Sequence, residues 1–215
     1  MTRISFAVTL LLSVYISQGQ VFKIQAGTSL SSLDWNIITN NYKIPGNRIV
    51  GQSIFFGFDY AEKRYFNLSS NIGTIRKGSR QKGFIIDSFG NVIERKNIPF
   101  ALDYLTLNTT LDLKYPIKDK VVPFISIGPR IDYIISTSDN FKALKDMDEL
   151  NMFSCGINLG IGIKYQFSRF QIGMRGDYLY NFNKISDYYN PIDLTGLKVS
   201  DNTFLLNTFL GYRLK

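Results

Sequence analysis

The chain contains no histidine. That absence removes Ser-His-Asp and Cys-His catalysis, histidine-ligated metals and a histidine pH switch. A single cysteine, Cys155, excludes an internal disulfide and any cysteine-built metal site. No apolar run approaches the ~20 residues that a helical membrane span requires. Disorder is excluded too, because 45% of the 215 residues are hydrophobic. The length suits one domain. A net charge of +8 would suit nucleic acid or anionic lipid alike and selects neither. What the chain has in abundance is aromatic residues, with 17 Phe and 13 Tyr.

The first twenty residues read as a secretory signal peptide. Arg3 supplies the positive start, Ile4 to Ile16 is apolar, and Ser17 and Gly19 are the small residues of a cleavage site. The expected division is therefore residues 1–20 as export signal and 21–215 as the mature domain. No cysteine follows the cleavage site, so a lipid-anchored N-terminus is not expected.

The mature chain alternates with period two, the mark of strands with two different faces. From Phe153 to Phe167 the odd positions are Phe153, Cys155, Ile157, Leu159, Ile161, Ile163, Tyr165 and Phe167, with small or polar residues between them. After a two-residue turn at Ser168-Arg169 the pattern resumes in opposite parity through Phe170, Ile172, Met174, Tyr178, Tyr180 and Phe182. Six further segments repeat it: Phe22–Leu30, Val50–Tyr60, Phe66–Thr74, Leu105–Tyr115, Ile125–Ile135 and Phe204–Leu214. Short turns (Ala61–Arg64, Pro116–Lys120, Ser168-Arg169) alternate with long connections at 32–47, 77–100, 137–151 and 183–202. In an up-and-down meander this puts every short turn on one rim and every long loop on the other. The layout predicts an all-β, eight-stranded antiparallel transmembrane barrel in an outer membrane, with short turns and both termini periplasmic.

A soluble eight-stranded barrel would place its apolar face inside. The lumen of eight strands is only wide enough to be filled by side chains, so the glycine, serine and asparagine face fits it and the Phe, Ile and Leu face does not. Aromatics fall in two groups, Tyr60, Tyr115, Phe167, Phe170 and Tyr212 near the short-turn rim, and Tyr133, Phe153, Tyr180, Phe182 and Phe204 near the long-loop rim. Two belts are expected where rings meet the two headgroup layers.

Several segments carry a family likeness: Ile98-Pro99-Phe100, Leu102-Asp103-Tyr104-Leu105, Leu113-Lys114-Tyr115-Pro116, Pro123-Phe124 through Gly128-Pro129-Arg130 to Tyr133, Gly160–Tyr165, and Gly211–Lys215. In these the chain resembles the porin-family (PorT-like) outer-membrane β-barrel proteins. The resemblance implies the barrel architecture and a role in secretion or surface assembly. It departs at the end, where Lys215 stands in place of a terminal aromatic residue.

Two groups of side chains are the candidate sites. The inward face carries Asp112, Lys114, Arg130, Asp132, Lys164, Arg175 and Asp177, expected as a lumen charge network. Closing the Ser168-Arg169 turn sets Arg175 opposite Gly162 and Asp177 opposite Gly160, glycines that leave room for side chains to lie across the barrel. Asp112, Asp132 and Lys164 are their expected partners. Such a network is either a plug of neutralised pairs or a polar pore, and eight strands favour the plug. The second group is the connection 77–100, where Lys77, Arg80, Lys82, Arg95 and Lys96 outweigh Asp87 and Glu94 and where Phe84–Ile86 and Val92-Ile93 read as a hairpin above the membrane. It suits anionic lipopolysaccharide or a protein partner. Nucleic acid is not an expected partner for an exported barrel.

The resulting expectation is a monomeric, non-enzymatic barrel with no cofactor, acting structurally or through partners at its external loops. The alternatives are a narrow pore for small ligands and a lipid-modifying enzyme using the carboxylates Asp187, Asp193 and Asp201.

Overall fold

A computed structural model describes residues 20–38, 42–86, 92–117, 120–146, 150–190 and 195–214. The expected signal peptide, save Gln20, lies outside them. The elements run β1 (Val21–Ile37), β2 (Tyr42–Pro45), β3 (Asn47–Asp59), β4 (Phe66–Ile86), β5 (Val92–Lys114), β6 (Val121–Thr137), α1 (Asp139–Asp146), β7 (Phe153–Phe167), β8 (Phe170–Asn181), β9 (Ser186–Asn190) and β10 (Thr195–Arg213). Strands that are neighbours in the order β2-β1-β3-β4-β5-β6-β7-β8-β10-β9 pair antiparallel, and β10 returns to β1 from Val21↔Arg213 to Ile37↔Leu197, which closes the ring.

Eight long strands, β1, β3 to β8 and β10, make the barrel. The two short ones prolong it. β1 pairs with β3 up to Ser31↔Ile49 and with β2 from Asp34↔Pro45, a one-residue slip centred on Gly46. The Gly46 amide donates to the Leu33 carbonyl at 3.0 Å, and a Cβ there would sit 2.3 Å from the same oxygen, so this close approach requires glycine. β9 likewise continues β8 along β10, with the Ile185 amide bridging to Val199.

The alternation of residue types becomes an alternation of environment. Ile161 is 69% exposed, whereas Arg130 is 2% exposed. Phe22, Ile24, Ile54, Phe56, Ile125, Ile127, Ile163, Ile172 and Leu210 face out; Lys23, Gln25, Asn71, Asp112, Asp132 and Asn207 are buried inside. A continuous apolar belt around a polar interior is the reverse of a water-soluble protein and needs lipid as its solvent. Rings cluster at both edges of the belt. Phe170 meets Phe167 at 5.8 Å and Tyr212 at 5.2 Å at one edge, while Tyr133 and Phe153, and Tyr178 and Phe204, each pair at 4.8 Å at the other.

The long connections are largely β structure, and this differs from the sequence expectation. β4 has 21 residues and β5 has 23, paired from Phe66↔Leu113 to Ile86↔Val92. A membrane crossing takes about 9–11, so the upper halves of both strands rise beyond the belt as the expected hairpin. The third connection holds α1, which alternation could not announce. Its Phe141 is fully buried among Leu33, Leu102, Tyr104, Ile134, Leu150, Ile185 and Val199, and Trp35 stacks on its ring at 5.9 Å. This apolar cluster caps the loop end of the barrel.

Candidate functional site

Below the cap, inward side chains form a cluster that closes on itself. Lys77 Nζ donates to Asp132 Oδ2 at 2.8 Å, lies 3.4 Å from Asp201 Oδ2, and sits 4.6 Å over the Tyr104 ring. Arg130 Nε lies 3.1 Å from Asp132, and Thr106 donates to the other Asp132 oxygen at 2.8 Å. Asn181 links Arg130 to Asp201. Two cations thus face two carboxylates. Phe55, Ile75, Leu179 and Leu205 form an apolar layer inside the lumen.

The pair on β8 comes next. Arg175 donates twice to Asp177, from Nε at 2.8 Å and Nη2 at 2.6 Å, and also from Nη2 to Ser126 at 3.1 Å. Its expected neighbours are present, Gly162↔Arg175 and Gly160↔Asp177. Gly160 does make room for Asp177, whose Oδ1 would stand 2.3 Å from a Cβ there. Gly162 makes room for the Phe124 ring instead of for Arg175. Asp112 accepts from Asn67 at 2.9 Å and Thr110 at 3.0 Å. The cavity among Lys23, Asp59, Asp112, Phe124, Lys164 and Arg175 has a volume of 10 Å³, room for about one water molecule.

At the short-turn end Lys23 pairs with Asp59 at 2.6 Å. Glu62, from the β3–β4 turn, folds inward to lie 3.2 Å from Lys164, 3.4 Å from Arg213 and 3.6 Å from Lys114. Of the seven expected lumen residues all point inward and are buried, but all three partners expected for Arg175 and Asp177 pair elsewhere, Asp112 with Asn67 and Thr110. Lys164 serves Glu62 and not the Arg175–Asp177 pair, because its β7 position lies nearer the short-turn rim. Asp132 serves Lys77 and Arg130.

Lys77 itself corrects the second group. It was expected in the basic connection, yet it occupies β4 and is 1% exposed in the lumen, because the strand continues past the point where its outward residues stop being apolar. Arg80 and Lys82 are exposed, on the outward row that runs from Phe66, Leu68 and Ile72 through Arg76. Arg95 and Lys96 fall on β5 opposite Phe84 and Gly83. Of the three carboxylates considered for catalysis, Asp201 is inside the barrel and Asp187 pairs with Lys184 and Lys198, while Asp193 lies outside the described residues. Alternation did not single out Glu62, Asn181 or Tyr104, nor the inward placement of Asp201. For Asp201, its place two residues before the alternating Thr203 was the available signal.

Residues 2–187 match the family described as "Outer membrane protein beta-barrel domain". No curated protein matches the sequence. Among solved structures, OprG of Pseudomonas aeruginosa is similar at 15% identity, over 90% of this chain and 95% of that one, with a TM-score of 0.57. Neisserial surface protein A aligns over 89% of this chain and 96% of its own at 12% identity, with a TM-score of 0.47. The likeness to OprG speaks to fold.

Proposed function

The chain belongs to the outer membrane protein β-barrel domain family and is an integral outer-membrane barrel; from that premise we propose that it is a sealed, non-enzymatic, monomeric barrel that works through its external surface. The observation that carries this reading is the outward row on β4. Its apolar members give way to Arg76, Arg80 and Lys82 where the strand leaves the belt; Arg76 lies 3.4 Å from the Asp103 carboxylate, and Arg80 and Lys82 are exposed. Phosphates of lipopolysaccharide, or an acidic partner protein held against the same hairpin, are the complementary surface. Export by the segment 1–20 and membership of the PorT-like group belong to this proposal, the latter resting on the motifs around Leu102–Tyr104 and Gly128–Tyr133.

Each cation near a charged membrane surface is worth about 1 kcal/mol, so removing two should weaken binding roughly 30-fold. The detergent-solubilised barrel is expected to bind immobilised lipopolysaccharide, and an Arg80→Gln/Lys82→Gln variant to lose affinity by that factor at low salt. Equal binding by the variant would remove the stripe from the account.

A further inference from the structure

The mouth at the short-turn end is built as more than a stopper. Four donors converge on one oxygen of Glu62: Lys164 at 3.2 Å, Arg213 and Gln166 each at 3.4 Å, and Lys114 at 3.6 Å. The second carboxylate oxygen is buried and has no hydrogen-bond partner among the described residues. Beside this cluster lies a cavity of about 400 Å³, whose rim carries Lys63 and Arg64. Deeper in, Lys23 is matched by Asp59 and Arg175 by Asp177. Among the described residues, Asp112 and Glu62 are then left against Lys114, Lys164 and Arg213, an excess of one cation in this group.

We propose that this mouth is a binding vestibule for a phosphate-class oxyanion, in which Glu62 is a tethered competitor that occupies the ligand's place when the ligand is absent. The reasoning is chemical. A carboxylate that uses one oxygen for several charged donors leaves them under-satisfied, whereas a phosphate offers three acceptor oxygens and a larger charge to the same donors. Glu62 stands on a turn and not in the ladder, so it can leave without unzipping a strand. The site is independent of the external stripe and rests only on the closed barrel.

Titration calorimetry of the purified barrel in zwitterionic detergent, with inorganic phosphate as the probe, tests the proposal. Wild-type protein should bind saturably. Arg213→Gln should weaken binding about tenfold and Glu62→Gln should tighten it about tenfold, since one removes a ligand and the other the competitor. Lys142→Gln on α1, at the far end, should change nothing. Should Glu62→Gln fail to fold, Arg213→Gln and Lys63→Gln at the rim carry the test. Absence of saturable binding in wild type, or an Arg213→Gln barrel that binds as wild type does, would overturn it. Repeating the titration in phosphatidylcholine nanodiscs with and without phosphatidylglycerol identifies the source. Competition by the lipid assigns a headgroup, and unchanged binding assigns a soluble phosphate.

Discussion

Arg175 and Asp177 show how one substitution separates a plug from a water-filled channel. Both are 4% exposed and each is the other's partner. Replacing Arg175 with Met leaves a buried carboxylate without its two charge-assisted bonds, beside a lumen cavity with room for about one water. Breaking a buried pair in this way costs about 3–5 kcal/mol, and urea unfolding of the refolded barrel should record a loss of that size. A loss below about 1 kcal/mol would mean that water reaches Asp177, since solvent-exposed pairs contribute no more than that. The inward position of these two residues was legible from the two-residue turn and alternation alone. Their mutual pairing was not, because neighbours at i and i+2 share a face and either could equally have reached across the barrel. Glu62 was illegible for a different reason: a turn residue has no periodicity to say which way it points. Gly160 carries the opposite lesson. Its missing side chain looks tolerant, yet a Cβ would stand 2.3 Å from Asp177 and 2.4 Å from Ser126, so Gly160→Ser should destabilise the barrel despite being small and inward.

Strands end in the sequence where apolar alternation ends, but in the molecule they end where hydrogen bonding ends. β4 and β5 illustrate the gap: above the belt the outward row turns from Ile72 and Thr74 to Arg76 and Arg80, so the apolar signal fades while the ladder runs on to Ile86↔Val92. That is why Lys77 and Asp201 fall within long connections by sequence alone yet are buried inside the barrel, as is Ser79 on β4. Topology can be checked at positions that avoid this error. In a Cys155→Ser background, Ser200→Cys and Asn140→Cys should react with an impermeant thiol reagent on intact cells, and Ser168→Cys only after the outer membrane is permeabilised. Reaction at residue 168 on intact cells would invert the orientation. The helix α1 makes a separate claim. Phe141→Ala removes the ring at the centre of the cap, a truncation that costs about 3–5 kcal/mol in a packed core. Because the cap lies beyond the belt, hydrogen exchange should rise at the upper amides of β1, β5 and β6 while the lower ladder stays protected. Uniform loss of protection would mean that the cap and barrel unfold as one unit.

On the proposed reading the inside-out barrel is closed at three levels among its described residues: the Phe141 cap, the lumen ion pairs, and Glu62 at the short-turn mouth. Its apolar exterior should make it sensitive to charge on the outside. Ile161→Arg, mid-strand on the belt, should cost about 2–4 kcal/mol in lipid, whereas on a water-soluble barrel so exposed a position would tolerate arginine. The claim that function resides on the outer surface and not in the lumen depends on closure, and single-channel recording of the wild-type barrel in a planar bilayer tests it most directly. The account predicts an electrically silent protein across a range of applied potentials. A steady, ohmic, single-barrel conductance would contradict it.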